Sequence, residues 1–435
     1  MNKKIRIIIL IMLLLLNSTA YANNLNFADD RGILLFEEKS DTVLYEQNSE
    51  IRFYPASTTK IMTALLVIEN MNLDDKITVG NEVTLISADS SKAGIKQGEV
   101  LTVKELLYGL LIASGNDIAN TLATNVGQKI GNVNNTVDSI DYFVSMMNER
   151  AYSLETKDTN FVNPHGLHDE NQYSTPSDML IITRELLKHE EIKEIVSTVK
   201  YPLVTKTSNY LWVNTNVLLH KNWDDVPYIS RQGKNQYYSQ QVNGIKTGFT
   251  NPAGRCIIFS ANKNKMELLG LIYHSTYDDI WQESIDLMNF ATETYSYINI
   301  IENNKEIDSF KISNPRDIEH NSISIITKKD IPYLLYAEDK NNIEQIVSYD
   351  EEIFYEVEDR IYKLKRNIKE NEKVGQVTYS LDDKIIAKSE IYTANSIEKI
   401  SFLDLFYHWQ FLLLCFVLLC LIIRIYRVKR KRRKK

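Results

Sequence analysis

The sequence predicts an α/β sandwich, followed by a small all-β module and one apolar helix near the C-terminal end. Strand patterns at residues 32–45 and 257–273 enclose a long run of helical patterns, so one sheet is expected to join the two ends of the first unit. From about residue 298, short alternating segments between charged turns indicate the β module. Residues 405–423 contain no Asp, Glu, Lys or Arg, which is typical of a membrane-spanning helix.

The first unit begins with a predicted strand pair and continues with helices. Gly32–Phe36 and Val43–Tyr45 are short apolar runs on either side of a polar turn. Apolar residues three and four positions apart then predict five helices, the last of which would be capped by Ser177 or Asp178. These helices span residues 57–71, 103–113, 118–126, 137–152 and 177–188.

A predicted hairpin and helix close the first unit, and the β module follows. Apolar runs at residues 257–261 and 268–273 flank the polar stretch 262–267, and residues 280–295 have a helical pattern. The alternating runs of the module are residues 322–326, 331–337, 352–357, 373–379 and 384–392.

Both ends of the chain predict an exported protein anchored in the cell membrane. Residues 1–22 combine a basic start, ten consecutive apolar residues and Ala20-Tyr21-Ala22, the pattern of a cleaved signal peptide. Thirteen consecutive apolar residues within 405–423 leave no polar face, which favours a spanning helix over one lying on the membrane surface. The basic tail, residues 424–435, is expected to stay in the cytoplasm. The domains expected outside the cytoplasm are residues 23–297 and 298–399.

The composition is that of a packed protein and argues against a nucleic-acid partner. The 435 residues are 44% hydrophobic and 25% charged, with 15 Gly, 8 Pro and 3 Cys, which excludes a disordered, collagen-like or disulfide-stapled chain. Twelve basic residues lie at the two ends, which leaves 38 basic against 57 acidic residues between them. An acidic body lacks the basic face that nucleic-acid binding requires. Cys256 is the single cysteine of the predicted exported part, so packing must stabilise it without an internal disulfide.

Three short motifs carry the chemistry, and the first opens a predicted helix. In Pro55-Ala56-Ser57-Thr58-Thr59-Lys60, the serine and the lysine are three residues apart and share one helix face. A lysine whose pKa is lowered by desolvation can take the proton of a serine hydroxyl and make it a nucleophile. The helix start also offers unpaired backbone N–H groups to an oxyanion. Without the other motifs, a Ser and a Lys on the helix surface would be the favoured interpretation.

The second and third motifs supply further polar groups. Ser114-Gly115-Asn116 lies between two predicted helices, where a hydroxyl can relay a proton and an amide can hold a substrate carbonyl or the lysine. Gly244-Ile245-Lys246-Thr247-Gly248-Phe249 places a cation, a hydroxyl and a glycine on a strand, against which a substrate can lie. A helix-ending turn and an ordinary edge strand are the plain alternatives. The three motifs together, in this order, are far more specific than each alone.

The motifs resemble those of the low-molecular-mass D-alanyl-D-alanine carboxypeptidases, serine peptidases of the penicillin-binding group. The resemblance extends to residues 54–64, 113–117 and 244–250, and to the loop Asn163-Pro164-His165-Gly166-Leu167 with the following Tyr173-Ser174-Thr175. It implies a penicillin-binding/β-lactamase-like sandwich, with an antiparallel sheet and a helical subdomain. The β module and the C-terminal membrane attachment also fit this family.

The resemblance implies catalytic roles for four residues of the first two motifs. Ser57 would be the nucleophile that forms an acyl-enzyme, and Lys60 would be its base. Ser114 and Asn116 would move protons and orient the peptide. The backbone N–H groups of Ser57 and Phe249 would form the oxyanion hole.

The resemblance also implies a set of substrate-binding residues on the third motif, which are Lys246, Thr247, Gly248 and Phe249. The lysine and the threonine of this set would hold the terminal carboxylate of the substrate. Asp278 and Asp279 stand roughly where some relatives carry a basic residue near the pocket, and Arg255 is the substitute that the sequence offers.

The implied function is removal of the terminal D-alanine from peptidoglycan stem pentapeptides, with β-lactam antibiotics as covalent inhibitors and without a cofactor. A β-lactamase would use the same nucleophile, but no Glu-x-x-Leu-Asn pattern for a water-activating glutamate occurs between Asn116 and Lys246. A catalytically idle wall-binding or sensor protein is the alternative outside catalysis, and the intact motifs disfavour it. His165-x-x-His168-Asp169 lacks a further ligand cluster, which argues against a metal site.

Overall fold

The computed structural model describes residues 25–87 and 90–432. The predicted signal peptide, residues 1–22, lies outside the described residues. The chain forms two compact units, and the boundary lies between Tyr295 and Ser296.

The first unit contains nine strands and seven α-helices in the described part of the chain. The strands are β1 (Gly32–Glu37), β2 (Thr42–Gln47), β3 (Lys76–Thr78), β4 (Val100–Thr102), β5 (Lys200–Val204), β6 (Asn209–Val213), β7 (Val242–Thr250), β8 (Gly254–Lys263) and β9 (Met266–Ser275). The helices are α1 (Lys60–Asn70), α2 (Val103–Leu111), α3 (Asn116–Gly131), α4 (Thr136–Ser153), α5 (Pro176–Leu186), α6 (Glu190–Ser197) and α7 (Asp279–Thr294).

A five-stranded antiparallel sheet forms the centre of this unit, in the order β2-β1-β9-β8-β7. The first strand pairs with the last, with Ile33 opposite Ile272, which confirms that one sheet joins the two ends of the unit. All six residues of β1 are buried, as expected for an apolar strand covered on both faces. Two further strand pairs, the antiparallel pair β3–β4 and the hairpin β5–β6, lie outside the main sheet.

Helix α1 runs through the middle of the helical subdomain. Its residues from Lys60 to Val67 are all buried, because it packs against α2, α3, α4 and α5. A helix that is apolar on all faces is typically buried in a core, and in α1 the side chain of Lys60 is buried with the apolar residues. The helix is preceded by a short 3₁₀ turn, Ala56–Thr59, so the nucleophile candidate lies just before the α-helix begins.

The structure corrects one helix start and adds elements that the sequence patterns did not predict. The N-cap of α5 is Thr175, whose side chain accepts a hydrogen bond from the N–H of Asp178, so the predicted caps Ser177 and Asp178 are wrong. Pro176 starts the helix earlier because its fixed φ suits the first helical position. Helix α6 and the strand pair β3–β4 were not predicted, since elements of eight and three residues are shorter than the window over which a periodic pattern is read.

The second unit is built from strands and ends in a long helix. The strands are β10 (Tyr295–Ile301), β11 (Glu306–Ile312), β12 (Ser322–Thr327), β13 (Ile331–Tyr336), β14 (Glu344–Tyr349), β15 (Phe354–Glu358), β16 (Ile361–Leu364), β17 (Lys373–Leu381) and β18 (Lys384–Thr393). Seven of them form one sheet in the order β14-β17-β18-β12-β11-β16-β15, and β10 pairs with β13. All five predicted runs coincide with strands, whereas β10, β11, β14 and β16 were not predicted.

Helix α8 (Phe402–Arg432) follows the β module. Its segment Phe402–Arg427 is long and apolar enough to cross a membrane, judged by length and composition. The apolar character predicted for residues 405–423 is therefore carried by one continuous helix.

Candidate active site

A cavity of about 800 Å³ in the first unit brings the three motifs together. Its walls include Ser57, Ser114, Asn116, Thr247, Gly248 and Phe249. The two lysines of the motifs, Lys60 and Lys246, are fully buried. A larger groove of about 1030 Å³, between α5, α6 and strands β8 and β9, contains none of the predicted site residues.

Ser57 lies on the 3₁₀ turn before α1, half-buried, while its neighbours Thr58 and Thr59 are fully buried. The turn is held by the hydroxyl and the N–H of Thr58, which donate to the carbonyl oxygen of Pro55 at 2.7 and 3.1 Å. This local hydrogen bonding leaves the side chain of Ser57 facing the cavity.

The Lys60 amine lies among three oxygen atoms. Its Nζ is 3.0 Å from Ser57 Oγ, 2.7 Å from Asn116 Oδ1 and 2.7 Å from the carbonyl oxygen of His165. Burial, with the nearby cation of Lys246 as a second cause, holds the pKa of Lys60 well below its usual value. In the neutral amine, two N–H bonds satisfy the amide and carbonyl oxygens, and the lone pair is left for the hydroxyl of Ser57.

The second motif joins α2 to α3. Ser114 has a φ of +59°, and Asn116 is the first residue of α3. The following Asp117 accepts hydrogen bonds from the N–H groups of Ala93 and Gly94 at 2.9 and 2.8 Å, which holds another part of the cavity wall against the motif. The sequence patterns did not identify this role of Asp117, because its partners lie more than twenty residues away.

The loop Asn163–Leu167 supplies the carbonyl oxygen that contacts Lys60. Gln172, a residue that sequence reasoning missed, is buried and fixes this loop. Its Oε1 accepts from the N–H groups of Val162 and Asn163, and its Nε2 donates to Thr59 Oγ1 at 3.0 Å. Gly166 has a φ of +87°, and a Cβ there would lie 1.8 Å from the carbonyl oxygen of Ala56. The loop therefore packs directly against the turn that carries the nucleophile candidate.

The side chains of His165 and His168, the two histidines of this region, both contact other residues of the protein. Burial, with the positive charge that Lys60 carries when protonated as a second cause, lowers the pKa of His165 to about 3, and the Nδ1 of His165 accepts from the N–H of Leu167. The ring of His168 packs edge-on against Tyr54, with ring centres 4.6 Å apart. Within residues 25–87 and 90–432, no three His, Cys, Asp or Glu residues are grouped as a metal site.

Strand β7 forms the opposite wall and is an edge strand, paired on one side with β8. Lys246 donates to the carbonyl oxygen of Thr247, and burial lowers the pKa of this lysine to about 7. The Thr247 hydroxyl donates to Thr215 Oγ1 at 2.6 Å. A Cβ on Gly248 would lie 2.9 Å from the backbone nitrogen of Ser57, so the strand passes close to the amide of the nucleophile candidate.

Arg255 on β8 lies opposite Phe249 of β7 and lines the same cavity. Asp278 and Asp279, for which the sequence offered Arg255 as a basic substitute, pair with other arginines. Asp278 forms an ion pair with Arg231 at 2.6 Å, and Asp279 lies 3.4 Å from Arg31.

Comparison with protein-family models gives two matches along the chain. A model described as D-alanyl-D-alanine carboxypeptidase matches residues 26–275. A model of the C-terminal domain of penicillin-binding protein 5 matches residues 295–399.

Curated relatives and solved structures agree with these matches. The D-alanyl-D-alanine carboxypeptidase DacF of Bacillus subtilis is 29% identical over 86% of this chain and 87% of the relative. The D-alanyl-D-alanine carboxypeptidase of Streptomyces sp. strain K15 is 31% identical over 54% of this chain and 77% of the relative. Penicillin-binding protein 5 from Haemophilus influenzae is similar in structure, with a TM-score of 0.54 and 25% identity over 85% of this chain and 97% of that chain. The Streptomyces K15 DD-transpeptidase structure has a TM-score of 0.52 and 30% identity over 60% of this chain and 95% of that chain.

Proposed function

The chain belongs to the D-alanyl-D-alanine carboxypeptidase family and is a serine-type carboxypeptidase, and from this premise we propose that Ser57 is its nucleophile. Ser57 Oγ attacks the carbonyl between the last two D-alanines of a peptidoglycan stem pentapeptide. The terminal D-alanine leaves, and water then hydrolyses the ester that joins the shortened peptide to Ser57. The contact of Ser57 Oγ with Lys60 Nζ at 3.0 Å is the observation that carries this proposal.

Lys60 acts as the general base in this proposal. Its lowered pKa favours the neutral amine, and two fixed oxygen acceptors orient the lone pair toward Ser57. The proton taken from Ser57 must then reach the nitrogen of the departing D-alanine. Ser114, on the same cavity wall, is the hydroxyl that relays it, and Asn116 keeps the lysine in place.

The oxyanion formed on attack is stabilised by the backbone N–H groups of Ser57 and Phe249. The close approach of Gly248 to the Ser57 nitrogen supports this, because it brings the two chain segments side by side. Lys246 and Thr247 hold the terminal carboxylate in this proposal, which is supported by the position of Thr247 in the cavity wall and of the buried Lys246 amine beside the Thr247 carbonyl oxygen. Gly248 leaves room for the substrate backbone beside the strand.

β-Lactam antibiotics are expected to acylate the same serine and to stay attached. The leaving group of an opened lactam remains tethered and obstructs the incoming water, whereas D-alanine diffuses away. The class A β-lactamases use a glutamate to activate that water. No Glu-x-x-Leu-Asn pattern for such a glutamate occurs between Asn116 and Lys246, which supports slow hydrolysis of the penicilloyl-enzyme.

We further propose that the two units act outside the cytoplasm and that α8 anchors them in the cell membrane. The support is the apolar segment Phe402–Arg427 and the basic residues that follow it. This location brings the active site to its peptidoglycan substrate.

The test uses the full-length protein in detergent with diacetyl-L-Lys-D-Ala-D-Ala and, separately, with a fluorescent penicillin. We expect Ser57→Ala to abolish both D-alanine release and labelling, and Lys60→Ala to slow both by about 10²–10⁴-fold. Ser91→Ala is the matched control, because it removes a hydroxyl from the same cavity wall without a lysine partner. Peptide mapping should place the penicillin label on Ser57.

Two results would contradict the proposal. Labelling that persists in Ser57→Ala would assign the nucleophile elsewhere. Rapid penicillin turnover without D-alanine release would identify a β-lactamase.

A further inference from the structure

Helix α8 follows the β module without a free linker. Ile397 pairs with Ile368 in a β-bridge, through two backbone hydrogen bonds of 3.0 Å. Lys399 forms a second β-bridge with Pro315, three positions before α8 begins at Phe402. The chain is therefore attached to the module almost to the first residue of the helix.

An ion pair holds one loop of the module beside the start of the proposed membrane-spanning segment. The loop, residues 313–321, joins β11 to β12. Its Arg316 lies 3.4 Å from Asp404 and 2.7 Å from Glu398. Asp404 immediately precedes residues 405–423, which contain no Asp, Glu, Lys or Arg. Nineteen helical residues span roughly 28 Å, about the thickness of the hydrocarbon layer, so Asp404 and the arginine paired with it lie in the headgroup layer when α8 spans the membrane.

The same loop carries an exposed apolar side chain. Its backbone is fixed, because the Asn314 amide exchanges two hydrogen bonds with the backbone of Leu364 and the N–H of Arg316 donates to the carbonyl oxygen of Glu398. Two positions after Arg316, Ile318 is 79% exposed. A single exposed isoleucine is ordinary on a surface that faces water. This one lies on a fixed loop next to the residue that contacts the start of the spanning segment, so lipid is within its reach.

The charges of the loop indicate which kind of lipid contact it suits. Asp317 and Glu319 flank the isoleucine, and Asp317 pairs with His320 at 2.9 Å. With neutral histidine, the loop has two acidic residues against one arginine. Anionic headgroups attract basic clusters, which this loop lacks. The contact that it can make is therefore apolar.

We propose that the loop 313–321 inserts Ile318 into the lipid interface beside α8 and thereby holds the β module in one orientation on the membrane surface. An apolar side chain gains free energy when it leaves water. Together with α8, the loop gives the module two points of contact with the bilayer, which limits its tilting. This inference rests on the proposed anchoring by α8.

The test places an environment-sensitive dye, NBD, on the loop of the full-length protein in phosphatidylcholine vesicles. The label is attached to Ile318→Cys in a protein that also carries Cys415→Ala and Cys420→Ala, since Cys256 is fully buried and does not react. Nitroxide groups on the lipids, near the headgroup or near the end of the acyl chain, then quench the dye. We expect loss of fluorescence, larger with the shallow nitroxide than with the deep one, because interfacial side chains enter only about 5–10 Å.

Ile385→Cys, labelled in the same way, is the matched control. Ile385 is also exposed, but it lies at the start of β18, the strand whose other end leads to α8. Eight steps of about 3.3 Å put it roughly 26 Å from Thr393 along the strand. Its dye should be quenched by iodide in the water and not by the lipid nitroxides.

The same measurement in vesicles that also contain phosphatidylglycerol should give equal quenching at position 318, because the contact is apolar. Limited proteolysis that matches the parent protein shows that a labelled variant is folded, and Glu319→Cys reports on the same loop if Ile318→Cys is not.

Three results would overturn the loop contact while the anchoring stands, provided that the protein floats with the vesicles and resists carbonate extraction. They are a loop label that only iodide quenches, equal lipid quenching at positions 318 and 385, and lipid quenching that requires phosphatidylglycerol. A parent protein that carbonate removes from the vesicles overturns the proposed anchoring and this inference with it.

Discussion

At the scale of single residues, the site depends on keeping a lysine uncharged in a protein interior. Lys60 loses its hydration on burial and lies near a second buried cation, Lys246. Desolvation alone can lower a lysine pKa by several units, which outweighs the contribution of one hydrogen bond to an amide oxygen. The Lys60 amine accordingly contacts a neutral side chain, that of Asn116, and not a carboxylate.

This reasoning predicts the effect of Asn116→Asp. A carboxylate 2.7 Å from Lys60 Nζ would favour the ammonium form and raise the lysine pKa, so a smaller fraction of the enzyme would hold the free base at neutral pH. We expect the acidic limb of the pH–rate profile for penicillin acylation to move to higher pH by about one unit or more. Asn116→Ala should slow acylation without that upward movement, since it removes an acceptor and adds no charge. An acidic limb at the same pH in wild type and Asn116→Asp would contradict a role for neutral Lys60.

At the scale of elements, one carboxylate ties the β5–β6 hairpin to the segment that leads into β4. Glu99 is buried and accepts hydrogen bonds from Thr205, Thr207, Tyr210 and the N–H of Lys96. Burial alone would raise its pKa, but these hydrogen bonds outweigh burial and lower the pKa to about 2. The hairpin carries Leu211 and Trp212 into the cavity wall, so this cluster shapes the site from a distance.

The Glu99 cluster predicts a pH-dependent stability difference. Because the folded-state pKa is depressed, the stabilisation is fully present above the unfolded-state value of about 4.5 and is lost as the pH falls toward about 2. We expect Glu99→Gln to lower the free energy of unfolding by about 1–3 kcal/mol at pH 7 and by less at pH 3. Urea unfolding followed by tryptophan fluorescence measures this.

Glu194→Gln, at a more exposed carboxylate that accepts from Tyr108, is the control and should change the free energy of unfolding by less than about 0.5 kcal/mol. If the loss of unfolding free energy in Glu99→Gln did not become smaller as the pH falls, the charge of the Glu99 carboxylate would be unimportant for stability.

At the scale of the whole molecule, the candidate site is built from one unit. Every residue of the three motifs lies before Tyr295, in the first compact unit. The β module has its own core, in which Phe310, Ile323 and Val377 are buried. The described residues that line the cavity all belong to the first unit.

This division predicts the behaviour of truncated proteins. A chain that ends at residue 401 should partition into the soluble fraction and keep wild-type penicillin labelling, because the apolar helix is removed and the cavity is intact. A chain that ends at residue 297 should still be labelled, since every described residue that lines the cavity precedes residue 298. We expect the β module to be a spacer or docking unit. Cell fractionation and labelling gels measure both outcomes. Loss of labelling in a shorter chain with an unchanged fluorescence spectrum would place part of the active site in the second unit.

The sequence by itself determined the features that depend on residues close together along the chain. Apolar periodicity located the main helices and the strands that join the ends of the first unit, and the uncharged run 405–423 located the long apolar helix. The pairing of Ser57 with Lys60 was also predictable, because residues three apart meet on a helix or turn whatever surrounds them.

Only the tertiary structure decided what surrounds that pair. The carbonyl oxygen of His165 lies 105 positions from the lysine it contacts, and Gln172 lies 113 positions from its partner Thr59. The pKa of Lys60 is lowered by the burial of its amine, to which residues from several other elements contribute. Burial and long-range hydrogen bonds arise only when distant segments pack together, so a linear pattern names the reactive groups but does not specify their charge states or their partners.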